Sequence, residues 1–200
     1  MNQLYRRIVW LSRIHRCRGF GIQSPTDYAF VRYVVNEHWP YYAYKELADK
    51  DWLKQKLGRL YFRIANWRQP QAILEVCGSG QSYVRYFQAG CRKAHIFTSS
   101  SDMGTDELNS LLVQFRSLGA DMIRVQPSSE RWVGLMKQVL DAVGEQTVLL
   151  VEGIHQDRLS RQIWADIVKS EQARITFDLY YCGVVFFDKK RVKQHYFVNF

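Results

Sequence analysis

The chain has 200 residues, of which 47% are apolar and 14% aromatic, which is enough to fill a core and excludes an intrinsically disordered protein. Its formal net charge is +9, and the excess lies in the N-terminal third: residues 1–70 hold thirteen Lys and Arg against five Asp and Glu, whereas residues 71–200 hold fifteen against fourteen. A clustered positive segment attracts RNA, an acidic membrane surface or another anionic partner; the plainer alternative is the solvated face of an amphipathic helix.

The cysteines and histidines indicate neither a disulfide framework nor a metal site, because they are scattered and no C-x-x-C pair occurs. We therefore expect free thiols in a reducing cytoplasm. The longest apolar run near the N-terminus, residues 8–11, is too short for the core of a signal peptide. No stretch approaches the roughly 18 to 20 apolar residues that a membrane span needs, so we expect a soluble cytoplasmic protein.

Helices are predicted throughout the N-terminal third. Residues 3–16 form a basic amphipathic pattern, and Ser24 followed by Pro25 is typical of the start of a second helix over residues 25–37. A third helix is predicted over residues 44–67, with one face formed by Leu53, Leu57, Leu60 and Ile64. The aromatic cluster between the second and third helices comprises Trp39, Tyr41, Tyr42 and Tyr44. These rings either pack in the core or stack on bases or another ligand.

Residues 71–200 alternate short apolar runs with helical stretches, which is typical of β-α units that build a mainly parallel sheet. Strands are predicted at 72–77, 95–99, 122–125 and 146–152, and helices at 81–88, 105–119, 130–143 and 157–169. Three further strands, at 173–181, 183–188 and 193–199, are joined by short turns. Such turns predict antiparallel neighbours, so we expect the sheet to end in an antiparallel edge.

A glycine turn follows the first of these strands and opens a helix. The small residues at 77–80 allow backbone N–H groups to approach a ligand at the N-terminus of a helix, which is how a nucleotide-type cofactor site begins. A dinucleotide dehydrogenase is one alternative, since residues 78–83 partly match G-x-G-x-x-G. In that motif, however, Tyr83 stands where the last glycine belongs.

The order of these elements, with a glycine turn after the first strand and an antiparallel hairpin that closes the sheet, resembles class I S-adenosylmethionine-dependent methyltransferases over nearly the whole chain. More narrowly, residues 19–25, 73–82 and 177–187 resemble a group of methyltransferase-like proteins common in Bacteroidetes, in which the first and last segments read close to F-G-V-H-S-P-F and I-D-L-F-x-x-G-L-V-F-F. The resemblance implies a Rossmann-like three-layer α/β sandwich, with a mainly parallel seven-stranded sheet, an antiparallel C-terminal hairpin and preceding N-terminal helices. It divides the chain into a basic helical segment, 1–70, packed on a methyltransferase-type domain, 71–200.

The resemblance also implies where S-adenosylmethionine binds, at the carboxyl ends of strands one and two. In this family the glycine turn contacts the methionine part, residues ending strand two hold the ribose, and residues ending strand four face the reacting methyl group. The implied cofactor contacts are Glu75, Cys77, Gly78, Ser79, Gly80 and Ser99 or Ser100, and the implied catalytic residues are Glu152 and His155. Because His titrates near neutrality, His155 with Glu152 is the best acid–base pair in the sequence.

Plainer roles stand beside three of these assignments. Glu75 is equally explained as a carboxylate that bonds the turn, Cys77 as a buried small residue, and His155 as a loop histidine without a role. The sequence also departs from the family pattern D/E-x-G-x-G-x-G, because its glycines at 78 and 80 are out of phase with Glu75. No carboxylate occurs in residues 98–101 to bind the ribose hydroxyls.

The cofactor loop is therefore degenerate, and three functions stay open. The first is an active methyltransferase that transfers a methyl group to an unknown acceptor. The second is a catalytically inactive methyltransferase-like protein that serves in binding. The third is a protein that binds or modifies nucleic acid through its basic N-terminal third, and it is compatible with either of the others.

Overall fold

The computed structural model of the protein describes residues 3–76, 82–99, 103–127 and 131–200. The α-helices are α1 (Gln3–Ser12), α2 (Pro25–Phe30), α3 (Ala43–Glu46), α4 (Trp52–Arg68), α5 (Val84–Gly90), α6 (Thr105–Ser117), α7 (Arg131–Ala142) and α8 (Arg158–Lys169). A 3-10 helix covers Ile14–Gly19, and a π-helical turn extends α2 over Val31–Val35. The strands are β1 (Ala72–Val76), β2 (His95–Ser99), β3 (Met122–Val125), β4 (Val148–Glu152), β5 (Ile175–Asp178), β6 (Cys182–Phe186) and β7 (Gln194–Phe197).

The strands of the described residues form a seven-stranded sheet in the order β2-β1-β3-β4-β6-β5-β7. Neighbouring strands are parallel, except that β6 is antiparallel to both β4 and β5. The chain leaves β1 towards β2 and then returns past it to β3, so the direction of the crossovers changes at β1. These pairings confirm the predicted α/β class, the mainly parallel sheet and the antiparallel C-terminal hairpin.

The pairing of the last strand differs from the sequence prediction. The short turn before β7 predicted an antiparallel neighbour, but β7 pairs in parallel with β5. The physical reason is that both edges of β6 are already occupied, by β4 and by β5. The free edge therefore belongs to β5, and the sheet ends in a parallel strand.

Helices cover both faces of the sheet. One face packs against α4, α5 and the Val31–Val35 turn, and the other against α6, α7 and α8. Leu57, Leu60 and Ile64 of α4 are completely buried, as their spacing predicted. The helix begins at Trp52 rather than at residue 44, because the Asp51 carboxylate caps its N-terminus by accepting hydrogen bonds from two backbone N–H groups.

The first helix leaves much of its apolar side in solvent: Ile8 is 54% exposed and Leu11 57%. Its contacts with the rest of the protein are largely polar. The Tyr180 hydroxyl donates to the Tyr5 hydroxyl over 2.8 Å, and the backbone oxygen of Trp10 accepts a hydrogen bond from Asn199. None of the described helices has the length and hydrophobicity that a bilayer crossing requires.

The segment 19–25 fastens α2 to the edge of the sheet. Ser24 caps α2, and Gly19 and Gly21 have φ values of 81° and 84°, a left-handed conformation that favours glycine. The buried Asp27 carboxylate then pairs with Arg191 and accepts a hydrogen bond from the hydroxyl of Tyr196 in β7. Asp27 lines a depression together with Ile175 and Gln194, the first residues of β5 and β7. This segment therefore lies at the opposite end of those strands from the implied cofactor crevice.

Candidate functional site

The candidate site lies where β1, β2, β4 and β5 end. Val76 pairs with both Ser99 and Val125, so the carboxyl ends of the first three parallel strands are level with one another. Glu152 ends β4, and Asp178 ends β5 on the same edge of the sheet. In an open α/β sheet, ligands bind beyond this edge, where the crossover direction changes.

Glu75 is completely buried and closes the loop between β1 and α5. Its Oε1 accepts a hydrogen bond from the backbone N–H of Tyr83 and its Oε2 accepts one from the hydroxyl of Ser82, each over 2.7 Å. The carboxylate thus links β1 to Ser82 and Tyr83, the two residues that precede α5. These contacts correspond to the second role that the sequence left open for Glu75, a carboxylate that bonds the turn.

Arg124 lies beside Glu75 in the register of the sheet and is completely buried. Its Nη2 and Nε donate to Glu152 Oε2 over 2.6 and 3.2 Å, and its Nη1 lies 3.4 Å from Glu75 Oε1. The guanidinium also lies over the ring of Tyr83, 4.7 Å from its centroid. One buried cation therefore links the carboxylates at the ends of β1 and β4.

Two tyrosine hydroxyls complete this buried network by donating to Glu152, Tyr61 over 2.9 Å and Tyr83 over 3.3 Å. Burial and the negative charge of Glu152 raise the pKa of both phenols, so both stay protonated as donors. Burial alone would lower the pKa of Arg124, but the adjacent carboxylates outweigh this and raise it. At neutral pH Arg124 is therefore charged, and both phenols are protonated.

His155 belongs to a second cluster, built around Asp178. His155 Nε2 lies 2.7 Å from Asp178 Oδ2, while Arg13 Nη1 and the backbone N–H of Tyr180 donate to Oδ1 over 2.8 and 2.9 Å. The Tyr180 ring stacks on the imidazole, with centroids 5.1 Å apart. Asp178 is buried, but the His155 side chain is 27% exposed and open to a ligand.

The charge state of Asp178 orients the imidazole. Burial alone would raise the pKa of Asp178, but the hydrogen bonds from His155 and Arg13 outweigh it and hold the pKa at about 2. The ionised carboxylate is an acceptor, so His155 carries a proton on Nε2, and in the neutral imidazole Nδ1 has the lone pair. His155 with Asp178 is thus an arrangement suited to general base chemistry.

The sequence-derived residues fall into three groups. Glu75 and Glu152 share the Arg124 network, whereas the imidazole of His155 bonds Asp178, so Glu152 and His155 do not form the acid–base pair that their spacing suggested. Ser99 ends β2 and is buried. Cys77, Gly78, Ser79, Gly80 and Ser100 lie outside the described residues.

Sequence reasoning missed Arg124, Asp178 and Tyr180. Arg124 had a signal, because it is the one charged residue in the apolar strand Met122–Val125. Asp178 also had one, since it ends a predicted strand inside the family-like segment 177–187. Tyr180 had none from its residue type, although its backbone adopts a left-handed φ of 71°.

At the level of fold, the chain is similar to a solved methyltransferase structure. It matches the SAH-bound methyltransferase PaMTH1 of Podospora anserina with a TM-score of 0.52 and 15% identity, over 97% of each chain. It also matches cofactor-bound Rv0187 from MTB, with a TM-score of 0.49 and 11% identity, over 73% of this chain and 86% of that one. No family model matches the chain, and no curated protein matches it. The first of these structural matches shows the Rossmann-like methyltransferase fold.

Replacing Arg124 by Met should destabilise the protein by about 3 to 5 kcal/mol, because it leaves two carboxylates buried without their cation. Urea unfolding measures this loss. The matched control is Arg92→Met, which removes an exposed arginine after α5 and should change stability by no more than about 0.5 kcal/mol. Adding Glu152→Gln to Arg124→Met should restore part of the loss; equal stabilities for R124M and R92M would contradict the network.

The Asp178 cluster should make stability depend on acid pH. A carboxyl group whose pKa is about 2 in the folded state and near its ordinary 3.8 when unfolded stabilises the fold above about pH 4. That contribution, about 2 kcal/mol, is lost as the pH falls from 4 towards 2. Urea unfolding across this range should therefore show a shallower pH dependence for Asp178→Asn than for the wild type. The exposed control Asp141→Asn should keep the wild-type slope.

Proposed function

We propose that the protein is an S-adenosylmethionine-dependent methyltransferase whose cofactor binds at the carboxyl ends of β1 and β2. The observation that carries the proposal is the pair of hydrogen bonds by which Glu75 of β1 holds Ser82 and Tyr83, which precede α5, where the crossover direction changes. The end-to-end similarity in fold to an SAH-bound methyltransferase supports the same assignment. Besides the cofactor, the proposed site binds a methyl acceptor.

The residues at this edge fit the cofactor with one weakened contact. Glu75 holds the loop that contains Cys77, Gly78, Ser79 and Gly80, which in this proposal meets the methionine part. The hydroxyls of Ser99 and Ser100 would bind the ribose by single hydrogen bonds, where a carboxylate would bind both ribose hydroxyls at once. Losing the bidentate, charge-assisted contact weakens affinity by about ten- to a hundred-fold.

In this proposal His155 is the general base of the transfer. When bound, S-adenosylmethionine supplies an electrophilic methyl group. Asp178 keeps the Nε2 proton of His155 in place, so that Nδ1 takes the proton which the acceptor loses as it attacks. Arg13 offsets the charge of Asp178, and Tyr180 fixes the plane of the imidazole by stacking on it. The remaining rate acceleration comes from the positioning of the acceptor next to the methyl group.

A catalytically inactive binding protein is the second candidate. It is favoured by the contacts of Glu75, because both carboxylate oxygens are occupied within the protein. In such a protein the loop would be a structural turn inherited with the fold. Cofactor binding and methyl transfer distinguish the two candidates.

The full-length protein should bind S-adenosylhomocysteine, measured by isothermal titration calorimetry. Ser79→Asp should weaken this binding by about ten-fold or more, because the new carboxylate repels that of the ligand. The matched control is Ser110→Asp, which adds the same charge to an exposed position on α6 and should leave the affinity unchanged. Absence of heat at millimolar ligand would exclude the cofactor.

Methyl transfer tests the role of His155. The wild-type protein should move tritium from methyl-labelled S-adenosylmethionine into cell-extract material, and nuclease or protease treatment identifies its class. His155→Ala should lower the rate by about a hundred-fold or more while leaving affinity for S-adenosylhomocysteine unchanged. The exposed His95→Ala is the matched control. Cofactor binding without any transfer by the wild type would favour the inactive binding protein.

A further inference from the structure

A groove of about 640 Å³ opens on the N-terminal helical part of the protein. It is lined by the segment 35–45, by side chains of α4 and by Phe200, and we call it the aromatic groove. Among the described residues, neither the Arg124 network nor His155 and Asp178 contribute to its lining.

The aromatic groove is basic. Lys45 and Arg59 both line it, and neither forms a salt bridge within the described part of the chain. Arg63 also lines it but is used internally, since it donates to the backbone oxygens of Val34 and Val35 over 2.6 and 2.9 Å. Lys56 also lines the groove, as does one carboxylate among the described residues, that of Glu37. The guanidinium of Arg59 lies over the ring of Tyr44, 4.8 Å from its centroid. We assign Lys45 and Arg59 to an anionic ligand.

Exposed aromatic rings accompany these cations. Trp39 lines the groove and is 72% exposed. Tyr42, which lines an adjoining depression together with Trp39 and Lys45, is 91% exposed. Exposed ring faces beside cations are a surface on which the bases of a single strand can stack.

A second depression, of about 380 Å³, continues the groove towards the candidate catalytic residues. The two share Trp52, Lys56 and Phe200, and the second also contains Tyr180, whose ring stacks on His155. A ligand long enough to fill both would reach from Trp39 to the neighbourhood of His155.

We propose that the aromatic groove binds single-stranded nucleic acid and leads it towards His155. Bases stack on Trp39 and Tyr42, while Lys45 and Arg59 meet phosphates. The binding itself is independent of the proposed function; that the bound strand is the methyl acceptor rests on it.

Groove shape and chemistry favour a single strand over two other anionic partners. In a duplex the bases are already stacked on each other and leave no ring face for Trp39 or Tyr42. An anionic lipid surface is flat, whereas Trp39, Lys45 and Arg59 line a concave groove. Lipid binding is therefore an outcome of the test that would replace the proposal.

Fluorescence anisotropy with a labelled single-stranded RNA of about 12 nucleotides tests the groove, with a hairpin duplex and a single-stranded DNA as comparisons. The wild-type chain should bind both single strands more tightly than the duplex. Affinity should fall as salt rises from about 50 to about 200 mM. These measurements need no cofactor, so their failure is separate from failure of the S-adenosylhomocysteine titration.

Two double variants locate the binding. Trp39→Ala with Tyr42→Ala should weaken binding by about ten-fold or more, whereas Tyr33→Ala, another exposed ring outside the groove, should have no effect. Lys45→Gln with Arg59→Gln should reduce the slope of log affinity against log salt by about 1.4, for two lost phosphate contacts. Lys189→Gln with Lys190→Gln removes the same charge at the turn between β6 and β7 and should keep the slope.

Three results would overturn the proposal. The first is no binding of either single strand at low salt. The second is equal loss of affinity in the groove variants and in their matched controls. The third is binding to phosphatidylserine vesicles, lost in the Trp39 and Tyr42 double variant, without binding to nucleic acid; it would assign the surface to a membrane.

Discussion

The ends of three strands are held together by one buried cation, the guanidinium of Arg124. Arg124 cannot reach water from the middle of the sheet, and an unmatched charge there would cost several kcal/mol. Glu152 and Glu75 match it from the two neighbouring strands, and Tyr61 and Tyr83 complete the hydrogen bonds from the helical side. The carboxyl ends of β1, β3 and β4 are therefore fixed relative to one another and to the helices above them.

The polar residues of the site fall into two groups, those that are bonded within the protein and hold the strands in place, and those that a ligand can reach. Glu75 and Glu152 are saturated by partners within the protein and serve to hold the loop after β1 and the end of β4. His155 is the accessible member of the second cluster, and its partner Asp178 is kept ionised by Arg13. In the proposed methyltransferase, this support would position the reacting groups before the proton moves to His155.

Much of the fold follows from local patterns. The apolar runs at 95–99 and 122–125 became β2 and β3 at the predicted bounds, and the Ser24–Pro25 pair began α2 where it was expected. The site was less predictable because its contacts are long-range: Arg124 joins residues 49 and 28 positions away, and neither spacing corresponds to a helical or strand repeat. The partner of β7 was missed for a related reason, since a short turn does not reveal that both edges of β6 are filled.

The ion pairs that hold the N-terminal part of the chain against the sheet affect the rate of folding. Asp27 pairs with Arg191, 164 positions later, and Arg13 with Asp178, 165 positions later. Arg13 follows α1 and Asp27 lies in α2, whereas Asp178 ends β5 and Arg191 precedes β7. During synthesis these two ion pairs can form only after the C-terminal part of the chain has emerged. Such distant contacts raise the contact order, which slows folding.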